Sequence, residues 1–255
     1  MDAPEAPPPP PTLPEVTEIL YAITDVHGCR DLLERAYDRI VEHAEGRPAR
    51  VIFLGDAIDR GPDSKGVIDR LVAGAGAENF APQINLIGNH EAFMMDAMAG
   101  DSHAIGAWLR NGGDATLASY GAPPNPVAIK ALTIPKSHIQ WLSSLRYVYE
   151  TPTHIFVHAG LPFGVSLADA LAKPERREQL IWIREPFLSV NHDFGRHVVH
   201  GHSPIGLADF RTDPLYRTNL DSGAVYGGSL SIGVFMPGVP GKPEVLKIEH
   251  EVVVS

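Results

Sequence analysis

Five short stretches hold the residues of this 255-residue chain that are equipped to do chemistry. They are Asp25-Val26-His27-Gly28, Gly55-Asp56-Ala57-Ile58-Asp59-Arg60-Gly61, Gly88-Asn89-His90-Glu91, His158-Ala159-Gly160 and His200-Gly201-His202. The second sets two carboxylates and a guanidinium between two glycines, directly after the apolar run Val51-Ile52-Phe53-Leu54. Charge clustered at the end of a buried strand is costly unless a metal ion or an anion balances it. The glycines let the backbone leave the strand sharply and approach a ligand closely.

Every stretch follows an apolar run that reads as a short strand, and strand C-termini are where α/β folds assemble sites. Ile19 to Ile23, Val51 to Leu54 and Ile84 to Ile87 alternate with amphipathic helices at Asp31 to Glu45 and Ser64 to Val72. That alternation predicts parallel strands with right-handed crossovers. Glu91 to Ala99 reads as a helix. From Asp101 to Glu150 the alternation breaks, which suggests a helical insertion beside the site, with Trp108 to Gly121 serving packing. His154 to Val157 is again a strand, and Leu167 to Ile183 a helix interrupted by Pro174. Leu215 to Leu220, Ser229 to Phe235 and Val245 to Val254 read as three further strands, expected to form a second, largely antiparallel sheet.

The ordered set of motifs resembles the phosphoprotein phosphatase family of binuclear-metal Ser/Thr phosphatases, its compact bacterial and phage branch above all. The resemblance runs from about Ile19 to about Phe235. It implies an α/β fold, the calcineurin-like metallophosphoesterase β-sandwich of two mixed sheets flanked by helices with a short helical cap. One domain would cover 16–255, with the cap at about 101–150. The resemblance further implies two divalent metal ions, Asp56 bridging them, Asp25 and His27 completing the first, and Asn89, His158 and His202 the second. Mixed oxygen and nitrogen ligands suit Mn²⁺ best, with Fe or Zn²⁺ as alternatives, rather than Ca²⁺. Two such ions activate a water and neutralise phosphoryl charge.

By the same resemblance His90 is the general acid, held by Asp59. Arg60 offers a planar fork for phosphate oxygens, Arg184 a second clamp, and Tyr226 lines the site. His200 is expected to be a supporting or surface residue. Thr24 stands where the family usually has Gly, so a small backbone shift is expected there. The implied reaction is hydrolysis of phosphoserine or phosphothreonine in a protein or peptide, with phosphotyrosine a further substrate, by direct attack of a metal-activated water. The alternatives are a symmetrical diadenosine tetraphosphatase and a non-catalytic metal-binding scaffold. The chain lacks the Gly-x-Ser-x-Gly turn of a serine hydrolase and the Gly-Lys-Ser/Thr of a P-loop enzyme.

The bulk properties agree with these expectations. A hydrophobic content of 44% allows an ordinary core, while a formal net charge of −10 argues against nucleic-acid and anionic-membrane partners. The single cysteine, Cys29, precludes an intramolecular disulfide and fits a reducing, cytoplasmic compartment. No apolar run approaches a membrane span, and no secretory leader is recognisable. The first fifteen residues hold seven prolines and three acids, a composition expected of a solvated tail. Oligomeric state is not legible.

Overall fold

A computed structural model describes residues 13–123, 125, 127, 129, 132–205 and 216–251. The proline-rich stretch 1–12 and the end of the last expected strand, 252–254, lie outside them.

Strands β1 (Ile19–Ile23), β2 (Ala49–Phe53) and β3 (Ile84–Asn85) run parallel, as the alternation with helices predicts. Helices α1 (Arg30–Ala44) and α2 (Ser64–Ala73) link them. The expected β3 is shorter than its apolar run because Ile87 leaves the sheet to bond the Arg146 carbonyl. Then come α3 (Asn89–Met98), α4 (Ser102–Trp108), a π-helical turn at Leu109–Gly113, α5 (Asp114–Ser119) and α6 (Lys136–Ser144). Strand β4 (Val148–Glu150), at the end of the stretch expected to form the cap, edges a second sheet with β5 (His154–Val157), β6 (His197–His200) and β7 (Arg217–Asn219). Between β5 and β6 the helical stretch divides at Pro174 into α7 (Leu167–Ala172) and α8 (Pro174–Trp182), because proline suits a first helical turn and no interior one. Strands β8 (Leu230–Phe235) and β9 (Glu244–Ile248) close the described chain.

The last three strands do not form a sheet of their own, contrary to the sequence reading. The first sheet has the order β3-β2-β1-β8-β9 and the second β4-β5-β6-β7. Strand β7 pairs parallel with β6, Val198 opposite Arg217, whereas β8 lies antiparallel against β1, Leu20 opposite Phe235. The physical reason is burial. All six residues of β8 are buried, so it needs cover on both faces and a neighbour at both edges, which a central place beside β1 supplies.

Period-two alternation assigns the faces. Ile19, Tyr21 and Ile23 of β1 pack with Leu33, Ile40 and Val67 beneath the helices. Leu20 and Ala22 turn the other way and meet Phe156, Val199 and Leu220 of the second sheet. That sheet's outer face, Ile155, Val157 and Val198, is covered by Ala170 and Leu180 of α7 and α8. The result is a sandwich of two mixed sheets with helices on both outer faces. Among the described residues no helix is long and apolar enough to cross a membrane.

Candidate active site

The five turns converge at the C-terminal ends of β1, β2, β3, β5 and β6. Backbone bonds fasten the first to the second: Asp25 N–H donates to the Gly55 carbonyl at 3.1 Å, and His27 N–H to the Asp56 carbonyl at 3.0 Å. Glu91 fastens the second to the third. Its buried carboxylate accepts the N–H groups of Gly88 (2.8 Å), Asp56 (2.9 Å) and Ala57 (2.8 Å). Two glycines are required by proximity. A Cβ on Gly88 would lie 2.1 Å from Asp56 Oδ1, and one on Gly201 would lie 2.1 Å from Asp25 Oδ2.

Seven described non-glycine residues have positive φ, and six belong to this site: Asp25 (50°), His27 (45°), Asp56 (60°), Asp59 (75°), Arg60 (66°) and His202 (69°). Such backbone is disfavoured for L-residues and persists where surrounding bonds over-determine it. Thr24, in place of the family's usual glycine, donates its hydroxyl to Asp25 Oδ2.

The imidazoles are aimed. His27 Nδ1 donates to the Ile58 carbonyl at 2.8 Å and His158 Nδ1 to the Leu54 carbonyl at 3.0 Å. Each bond fixes the tautomer and turns Nε2 toward Asp56, at 3.6 Å for His27 and 3.4 Å for His158. Asn89 Oδ1 stands 3.0 Å from His158 Nε2, and the Asp25 carboxylate accepts the His202 N–H at 3.0 Å. Ligand atoms of Asp56, His158 and His202 lie within 4.8 Å of one another, as do those of His27, Asp56 and His90. His202 Nε2 is buried with no hydrogen-bond partner among the described residues, which suits a nitrogen whose lone pair serves a cation. This donor set of carboxylate and amide oxygens with imidazole nitrogens fits divalent ions on either side of Asp56.

The electrostatics are those of a compensated cluster. Burial, reinforced by the charge of Asp221, pushes the Asp25 carboxyl well above its usual range. Burial would raise Asp56 too, but the His158, His90 and His27 rings outweigh it and hold it well below. Burial drives His27 and His202 down to about 3, keeping them neutral lone-pair donors. His158 is carried up to about 9 because the Asp56 charge overcomes burial. Bound divalent ions would become the largest local charges and favour ionised carboxylates throughout.

His90 differs from its neighbours. Its Nδ1 lies 2.6 Å from Asp59 Oδ2, and its Nε2 faces the cavity, 4.0 Å from Asp56 Oδ2. Burial lowers its pKa, yet the Asp56 charge and the bond and charge of Asp59 raise it overall. Arg60 donates from one guanidinium nitrogen to His27 Nε2 at 2.6 Å and lies 5.7 Å from the Tyr226 ring centre. Arg184 donates to the His202 carbonyl at 3.3 Å rather than pairing with Glu185 or Asp193. Arg60, Arg184, Tyr226, Trp182 and Asn111 line one cavity of about 150 Å³ with all the candidate ligands but His158. His200 is buried, and so is no surface residue. It packs on Phe187 at 5.1 Å and contacts the Gly201 carbonyl, outside both ligand groups.

Sequence reading missed three contributors. Trp108 Nε1 and Thr116 Oγ both donate to the Asp59 carboxylate, so a stretch expected to lie beside the site as packing carries polar contacts to it. Their signal was faint, because one tryptophan and one threonine in a helical stretch read as core and surface. Asp221 was legible in principle. Leu220-Asp221-Ser222-Gly223 repeats the strand-then-glycine-turn grammar after β7, and its buried carboxylate lines the cavity. Burial, with the nearby Asp56 charge, raises it to about 6 against the pull of the Gly223 N–H.

Known proteins resemble this chain in sequence and fold. The chain is 28% identical over 219 residues to serine/threonine-protein phosphatase 1 of Salmonella typhimurium, covering 84% of this chain and 90% of that one. It is 25% identical over 236 residues to the asymmetrical bis(5'-nucleosyl)-tetraphosphatase PrpE of Bacillus cereus, covering 82% and 87%. A solved structure, named as a candidate diadenosine tetraphosphatase, superimposes with a TM-score of 0.64 at 26% identity, covering 93% of this chain and 96% of that one. The profile of the calcineurin-like phosphoesterases matches residues 20–228, and with its two-sheet sandwich and strand-end cluster of carboxylates and imidazoles the chain belongs to that family.

Proposed function

We propose that the protein is a two-metal phosphomonoesterase acting on phosphoserine and phosphothreonine in proteins, and on phosphotyrosine as well. The observation that carries this reading is the His90–Asp59 pair, 2.6 Å apart and buried beside Arg60. Breaking a serine or threonine phosphate expels an alkoxide, which needs a proton in the transition state. A phosphoanhydride expels a stabilised phosphate and needs none. A carboxylate-held acid is therefore of most use against a monoester.

Asp25, His27 and Asp56 would hold one ion and Asp56, Asn89, His158 and His202 the other, with Mn²⁺ the best match to the donors. When bound, the pair supplies an activated water and neutralises phosphoryl charge. Arg60 and Arg184 grip the remaining phosphate oxygens, Tyr226 borders the leaving group, and His90 Nε2 delivers its proton to the departing oxygen while Asp59 keeps the ring in place. The work is cytoplasmic, on a phosphorylated protein or peptide.

A second reading, a dinucleoside tetraphosphatase, is favoured by the Trp182 and Tyr226 rings in the cavity wall and by the tetraphosphatase relative. Turnover with Mn²⁺ decides between them. A higher kcat/KM on phosphoserine and phosphothreonine peptides than on diadenosine tetraphosphate supports the first reading, and the reverse order refutes it. Two bound ions with no turnover of either would leave a metal-binding scaffold.

A further inference from the structure

Asp59 is fully buried, and its carboxylate receives donors from three elements. One is His90 Nδ1 of α3, at 2.6 Å. The other two come from the insertion that breaks the α/β alternation. Trp108 Nε1, at the end of α4, donates at 2.9 and 3.0 Å to the two oxygens, and Thr116 Oγ, in α5, donates at 2.7 Å to Oδ1. Thr116 Oγ also accepts the Asp59 backbone N–H at 2.9 Å, so one hydroxyl brackets both ends of the residue, assisted by Ser64 Oγ at 3.0 Å from the same N–H.

The left-handed backbone of Asp59 and Arg60 is held from the same side. Arg60 N–H donates to the Gly112 carbonyl at 3.1 Å, and a Cβ on Gly112 would come within 2.7 Å of Arg60 N. The π-helical turn Leu109–Gly113 joins the two anchors, and its Asn111 lines the cavity. Trp108 and Thr116 are themselves fully buried, and no described contact brings either to the candidate ligands.

We propose that Trp108 and Thr116 are positioning residues for His90, acting through Asp59, and that the insertion thereby sets how well the enzyme expels poor leaving groups. The inference rests on His90 serving as the proton donor. A carboxylate with two fixed donors presents its remaining lone pairs to the imidazole in one orientation, which keeps Nε2 aimed at the departing oxygen. Loosening it blunts proton delivery while Asp56 and Arg60, on the same turn, keep their own backbone anchors, the Glu91 carboxylate for Asp56 N–H and the Gly112 carbonyl for Arg60 N–H.

The test compares wild type, Thr116→Val, Thr116→Ser and Trp108→Phe, all as full chains. With Mn²⁺, kcat is measured on aryl phosphates of graded phenol acidity and on a phosphoserine peptide. Thr116→Val and Trp108→Phe should lose about tenfold or more on the peptide and the least acidic phenols, but less than about threefold on 4-nitrophenyl phosphate. Thr116→Ser should restore the wild-type slope. In metal-free protein, the low-field proton resonance of the His90–Asp59 bond should be present in wild type and Thr116→Ser and broadened or lost in Thr116→Val. A uniform loss across the series, no loss at all, or an unchanged resonance in Thr116→Val overturns the proposal. Should Trp108→Phe fail to fold, the Val/Ser pair at position 116 decides alone. A wild type active on aryl phosphates yet inert to the peptide would refute the protein-phosphatase reading while the aryl slope still judges the anchors. A wild type inert to every ester refutes that reading too, and the resonance then decides the anchoring.

Discussion

Replacing Gly88 with alanine adds one methyl group at the point where two motif turns touch. The added Cβ would sit 2.1 Å from Asp56 Oδ1, 2.4 Å from Asp56 N and 2.9 Å from Glu91 Oε2. Ordinary contact needs about 3.3 Å, so the Asp56 carboxylate or the turn must move by about 1 Å. Both are buried and bonded, and overpacking of this kind costs about 1–3 kcal/mol. For a domain of this size that corresponds to a fall in Tm of about 3–10 °C. Function should suffer more. In the proposed site Asp56 would serve both ions, a role that tolerates only about 0.2 Å, and a 1 Å misplacement near the chemistry costs about a hundredfold in rate. Gly106→Ala in α4 is the control, since its Cβ meets only the Arg110 side chain, at 3.2 Å and 4.0 Å, and the change should be neutral or slightly stabilising. Calorimetric Mn²⁺ titration, thermal melting and steady-state turnover report the three quantities. A Gly88→Ala protein that binds two Mn²⁺ with wild-type affinity and keeps kcat within about threefold would refute the close approach of Asp56 and Gly88.

Asp56→Asn should reduce Mn²⁺ stoichiometry below two in calorimetry, because a neutral amide lacks the negative charge that the proposed shared ligand would supply to both ions. His90→Asn should leave Mn²⁺ and inorganic phosphate binding intact while slowing phosphoserine-peptide turnover about 10²–10⁴-fold, the range for a lost general acid, measured in single-turnover assays. Glu91→Gln keeps one acceptor oxygen for three backbone N–H groups, leaving at least one buried donor unpaired, so the melt should fall by the equivalent of about 1–3 kcal/mol.

Much of this architecture was legible because motif and strand coincide. Each candidate ligand from Asp25 to His202 follows an apolar run, so the strand ends and their cargo could be read together. The sheet partners of the last strands could not. Local pattern marks β7, β8 and β9 as strands, but their partners are set by burial on both faces of β8 and by the crossover from β6, which are non-local. The insertion was opaque for a related reason. Trp108 and Thr116 reach Asp59 across 49 and 57 residues of sequence, and such a contact leaves no periodic trace. Asp221 was overlooked although its turn follows the same grammar as the others.

The left-handed backbone at six site residues bears on the protein's lifetime as well as its chemistry. Each costs about 1–2 kcal/mol, so together they approach on the order of 6–12 kcal/mol, comparable with the entire net stability of an ordinary domain. Ions that bind only the folded chain offset this, by about 2.7 kcal/mol per site at a hundred times Kd. Selection for heat resistance alone would therefore drift toward glycine at these positions and erase the site. Depletion of the divalent ions proposed for the site should likewise shorten the half-life of the chain in a pulse–chase experiment before any substrate is considered, making supply of the ion a control on how much protein the cell keeps.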